Sequence, residues 1–167
     1  LHGHVCDGLI EGYIALDYGL KELYPDGVVD RTNTRIVSKS SPCLTDVAIY
    51  ITGGRIQYDT FYVDNTIQGL YIIQRIDTGK TISIKRKPNV KPEIIDELGN
   101  KAIKGELNEC ELEELKKLEE AYAKMLKKAN PEDVFEVTEI VNFIWQPKTE
   151  IHTKTDIINK HKTNCNN

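Results

Sequence analysis

His2, His4 and Cys6 place three metal-binding side chains within five consecutive residues. At a spacing of two in an extended segment they point to one side, because side-chain direction alternates along the chain. Imidazole nitrogen and thiolate sulfur are the donors zinc prefers, at about 2.0–2.3 Å. The segment can therefore offer up to three donors to zinc or another divalent transition metal, although the peptide between the histidines is able to turn one of them away. Cys43 is the natural fourth donor. It follows Ser41-Pro42, and serine is a good helix cap while proline suits the first helical position. Cys6 likewise stands just before a helical pattern that Asp7-Gly8 opens. The positive end of a helix favours the thiolate, which is both the metal ligand and the nucleophile. Both sulfurs are thus expected at helix N-termini, in activated form. Asp7, Tyr13 and Asp46 are the candidates to support the ligands from behind.

Plainer readings stand beside this one. An amino-terminal His-Gly-His is often a flexible end, a lone Cys43 is often a small buried hydrophobe, and Asp46 one turn later can serve as a helix cap. Three functions fit the residues. The first is a metal-binding protein with an accessory or regulatory role. The second is a metal-dependent, hydrolase-like enzyme acting on a small molecule, with one histidine and two cysteines leaving a position for a metal-bound water. Tyr13, Asp46 or Tyr58 would then help as acid or base, and no spacing selects among them. The third is thiol redox chemistry between Cys6 and Cys43 without metal, although no Cys-x-x-Cys is present.

The elements that must position these residues follow from periodicity. Leu9, Tyr13, Leu16, Leu20 and Leu23 recur at spacings of three and four, the signature of an amphipathic helix, which Pro25-Asp26-Gly27 ends. Thr34–Lys39 reads as a short strand. A second helix from Pro42 buries Leu44, Val47, Ala48 and Ile51 and stops at Gly53-Gly54, which tolerate left-handed angles. Ile56–Val63 and Leu70–Ile76 read as strands, and Asp77-Thr78-Gly79-Lys80 turns the latter into Thr81–Lys85. A helical pair follows, over 92–104 and 111–129, with Leu112, Leu115, Leu118, Tyr122, Met125 and Leu126 as the second stripe. Val134–Trp145 reads as a long last strand. Residues 147–167 form a polar tail, expected to be extended or partly disordered because it has little to bury, which leaves 1–146 as the domain.

Composition narrows the partners. A chain of 167 residues holds one domain with a real core, and 40% apolar with 29% charged residues is ordinary for a globular protein. A net charge of −4 gives no dense basic surface for nucleic acid, and no apolar run approaches the roughly 20 residues that cross a bilayer. The four cysteines, Cys6, Cys43, Cys110 and Cys165, form no dense disulfide framework. A reducing cytoplasm fits best. An exported form, with Cys6 and Cys43 joined, stays open because the sequence begins at Leu1 and a leader can have been removed.

The residues as a set resemble the FmdE-like family of formylmethanofuran dehydrogenase components. His2-Gly3-His4-Val5-Cys6-Asp7-Gly8-Leu9, with Glu11-Gly12-Tyr13 after it, is similar to that family's His-Gly-His-x-Cys-Pro-Gly-Leu signature and its following Gly-Tyr. Pro42-Cys43-Leu44-Thr45-Asp46 resembles its second signature, and Phe135–Ile140 resembles the strand that closes its core. The resemblance implies an α+β domain with a mixed sheet, in which the two signatures converge on one metal site, and a homodimer. Three departures stand out. Asp7 replaces a proline, Gly53 replaces a frequent cysteine, and the sequence shows no Cys-x-x-Cys after residue 146.

Overall fold

Cys6 bends the chain into extended geometry (φ −112°, ψ 172°), and its sulfur accepts the Leu9 N–H to start helix α1, Asp7–Leu23. The computed structural model, which describes residues 3–147, continues into strand β1, Thr34–Ser38. Helix α2, Pro42–Thr52, opens as its sequence dictates. The Ser41 hydroxyl accepts the Leu44 N–H, proline takes the first turn, and Gly53 closes the helix at φ 73°. Strands β2 (Phe61–Val63), β3 (Tyr71–Arg75) and β4 (Thr81–Arg86) come next. Helices α3 (Glu93–Ile103), α4 (Glu109–Leu126) and α5 (Pro131–Val134) then lead to β5, Phe135–Glu139.

The strands form one five-stranded sheet in the order β2-β1-β3-β4-β5. The β1–β2 pair is parallel and every other pair antiparallel, so the sheet is mixed. Alternation along the strands separates two cores. Ile36, Tyr71, Ile73, Ile82 and Ile84 join the helices on one face. Val37, Tyr62 and Ile72 meet Ile67, Ile140, Phe143 and Trp145 on the other. Among the described residues no helix is long and apolar enough to cross a membrane.

Two segments depart from the expected strands. Within 56–63, Ile56–Tyr58 is a 3-10 turn and Asp59 takes φ 55°. The Thr60 N–H bonds back to the Arg55 carbonyl at 3.1 Å. Closing this loop consumes the N–H groups of Tyr58, Asp59 and Thr60, while the Thr60 carbonyl still accepts from Ile36 of β1 at 3.0 Å. The long last strand ends at Glu139. Glu139 pairs with Ile82 and Ile140 donates to Thr81, the first residue of β4, so the ladder has run out. The chain then crosses the second face, where Trp145 donates to Asp59 at 2.6 Å, lies under the Arg35 guanidinium and meets Tyr62 edge-on. The apolar run was real, but its second half covers a sheet face instead of extending one. The polar tail lies outside the described residues beyond 147.

Helix α1 also turns differently from its leucine count. Its buried stripe is Glu11, Gly12, Ala15, Leu16, Gly19, Leu20 and Leu23, while Tyr13 is 54% exposed. Small residues set this orientation. A Cβ on Gly12 would stand 2.6 Å from the Tyr71 hydroxyl, which is fully buried and bonded to the Leu44 carbonyl at 3.0 Å. Gly12→Ala is therefore expected to destabilise the protein. Helix propensity returns about 1 kcal/mol, but displacing Tyr71 from a packed core costs about 1–3 kcal/mol. A denaturant midpoint below that of the parent, at unchanged slope, is the expected reading.

Candidate functional site

The N-termini of α1 and α2 meet, and they carry the two cysteines. Cys6 caps α1, Cys43 is the second residue of α2, and their sulfurs lie 3.1 Å apart. Gly8 makes the approach feasible. Its position faces Cys43, where an added Cβ would stand 3.1 Å from the Cys43 Cβ and 3.3 Å from its sulfur. Both cysteines are half-buried. Residues 37 apart in sequence are thus joined by the two helix starts that the sequence marks.

The expected activation of Cys43 is not what the surroundings produce. Its thiol is pushed up to about 12, first by burial, then by the hydrogen bond and charge of Cys6 and by the charge of Asp7. The backbone N–H at the helix start acts in the opposite direction and is outweighed. The helix dipole is worth only about 0.3–1 kcal/mol at an ordinary terminus, too little against burial beside a second sulfur and a carboxylate. Cys43 therefore rests as a thiol, and a cation is what would discharge it.

The other candidates are scattered around this pair. His4 is exposed, and His2 lies outside the described residues. Asp7 is the first residue of α1 and lies 4.0 Å from Lys91, which is held more closely by Asp96 at 2.6 Å. Asp46 is half-buried on α2, and Ser41 caps that helix in its place. Tyr13 points outward and Tyr58 belongs to the 3-10 turn. Among the described residues no group of three His, Cys, Asp or Glu gathers as a ligand set. Two thiolates at about 2.3 Å on a tetrahedral zinc stand about 3.8 Å apart, so the sulfur pair fits one ion after opening slightly. The donor set present is soft sulfur, with imidazole nearby in sequence.

Sequence reasoning missed the support behind the pair. Glu11, 5% exposed, accepts from Arg86 of β4 at 2.7 Å and from the Tyr122 hydroxyl of α4 at 2.9 Å. It ties α1 to the sheet and to the helix that covers it. Burial, and then the charge of Glu11, pushes the Tyr122 hydroxyl up, so Tyr122 stays a donor. Tyr71 is raised for the same two reasons, with Cys43 adding a smaller push. Glu119 on α4 is raised by burial and by Asp7, against Lys91. The available signal was Glu11 itself, a carboxylate in a stripe of glycine, alanine and leucine. A charge there needs partners. Arg86→Met removes the cation and leaves the buried carboxylate with Tyr122. Because Arg86 keeps some solvent contact, the loss should lie near the low end for a broken buried pair, about 3 kcal/mol, read from denaturant unfolding.

The chain matches the family described as FmdE, molybdenum formylmethanofuran dehydrogenase operon, over residues 1–136. That span takes in both cysteines, the glycine edge of α1 and the sheet as far as the start of β5, and the chain belongs to this family. No curated protein matches it.

Proposed function

From that membership as premise, we propose that the chain binds one zinc or other divalent transition ion through Cys6 and Cys43, as an accessory or regulatory metal protein. The observation that carries this reading is the 3.1 Å approach of two thiols from two helix starts. The histidines at positions 2 and 4 are the donors proposed to complete the shell, since they precede Cys6 by four and two residues. A bound ion would hold both sulfurs as thiolates and neutralise the charge gathered between Asp7 and the cysteines. Thiol ligands of this kind suit a reducing compartment.

Stoichiometric metal is expected on protein purified without an affinity tag, about one ion per chain by elemental analysis. Cys6→Ser or Cys43→Ser should remove most of it, and Cys110→Ser, at an exposed position on α4, should remove none. Equal metal in the Cys43 variant would separate the two cysteines and overturn the reading.

Metal binding should also be proton-linked. Cys43 keeps its proton up to about 12, so at neutral pH the ion must displace it. At least one proton is released per ion, and the apparent affinity rises about tenfold per pH unit for each proton displaced. Competition titrations at pH 6.5 and 7.5 measure the slope. A pH-independent affinity would mean that Cys43 is not a ligand.

The same contact favours a second reading, a dithiol couple. Closing the pair to the disulfide length of about 2.05 Å passes two electrons and two protons to an external disulfide, which leaves as two thiols. Titration with a glutathione redox series decides it. Two thiols lost together from metal-free protein, with the one remaining thiol of the pair retained in each single variant, are the expected signature.

A further inference from the structure

Apolar side chains at the edge of the core, with exposed Tyr13 and Tyr50 beside them, gather in one place. Leu9, Tyr13 and Ile14 of α1 and Tyr50 and Ile51 of α2 line a cavity of about 430 Å³ whose one charged lining residue is Lys127, just beyond α4. Its size falls within the range of about 300–1,000 Å³ that holds small molecules. The cavity is open to solvent, with Tyr13 54% and Tyr50 66% exposed. It begins about one helical turn beyond the cysteines, because Leu9 follows Cys6 by three residues and Val47, also in the lining, follows Cys43 by four.

The lining specifies an amphiphile. A hydrocarbon or aromatic body would bury its surface against isoleucine, leucine and the tyrosine rings. The ammonium of Lys127 makes no ion pair among the described residues, and exposed Lys124 and Lys128 flank it. An anionic head complements this corner. The net charge of −4 provides no long-range attraction for anions, so the head must be held locally. We propose that the α1–α2 cavity binds a small apolar anion, an aryl or medium-chain alkyl carboxylate, with its head at Lys127. A second copy of the chain fits less well. It needs about 800 Å² on each partner, and a concave slot bordered by convex helices is a shape that a small molecule fills. Such binding does not depend on the metal, and its test uses metal-free protein.

Calorimetric titration of the reduced, metal-free chain with decanoate and with decyltrimethylammonium tests it. Decanoate should bind saturably at one site per chain, at least tenfold more tightly than the cation of equal tail length. Lys127→Glu should weaken decanoate about tenfold and remove that preference. Tyr50→Asp, at an exposed position, should weaken it as well without altering the circular dichroism. Absent or non-saturable decanoate binding, equal binding of the two amphiphiles, or indifference to Lys127→Glu would overturn the proposal. So would a dimer in sedimentation that Tyr50→Asp dissociates and decanoate does not, since the slot would then belong to a second copy.

Discussion

Gly8 and Gly12 leave α1 without side chains where it meets Cys43 and the Tyr71 hydroxyl, and the missing volume sets how closely the first two helices approach. Much else follows from that approach. It puts the Cys6 and Cys43 sulfurs in contact, and it lets Tyr71 reach the first turn of α2 from the sheet. It also rotates α1 so that Glu11 faces inward and Tyr13 outward. A helix packed by its leucines alone would sit farther away, because ordinary helix pairs keep their axes about 8–10 Å apart with side chains between them. Here backbone stands in for side chain on one edge.

The inward carboxylate is the compensation for that rotation. An unpaired charge in the core would be expelled or neutralised, yet Glu11 is met by a guanidinium from the sheet and a hydroxyl from α4. Elements far apart in the chain thereby fix one helix start, the one that Cys6 caps. Burial that isolates Glu11 also surrounds Cys43, and it works against the helix dipole there. The result is two sulfurs in contact, of which Cys43 rests as a thiol. An ion bound there as proposed would displace the Cys43 proton, which would couple occupancy to pH.

Local signals were legible in the sequence wherever one residue decides the backbone. Ser41-Pro42 starts α2 and Gly53 ends it, and the Asp77–Lys80 turn returns β3 into β4. The two cysteines could be placed at helix starts from the same kind of signal, and the structure brings them together. The rotation of α1 was not legible, because counting apolar residues takes Tyr13 for core and overlooks that glycines pack closest. Nor was the end of β5, since apolar residues that cover a sheet face read like residues within a strand. Glu11, Arg86 and Tyr122 lie 75 and 111 residues apart along the chain, and no spacing rule reaches that far. The lowered acidity of Cys43 depends on burial and on Asp7 in three dimensions, so a helix-start argument alone misjudged it.

The central claim is that both sulfurs serve one ion. X-ray absorption at the zinc edge, on full-length reduced protein loaded with one equivalent of zinc, addresses that coordination shell directly. Two sulfur scatterers at about 2.3 Å, with the remaining positions filled by nitrogen or oxygen near 2.0–2.2 Å, is the predicted result. A shell of nitrogen and oxygen without sulfur, or with one sulfur, would contradict the claim that the meeting of α1 and α2 builds the site.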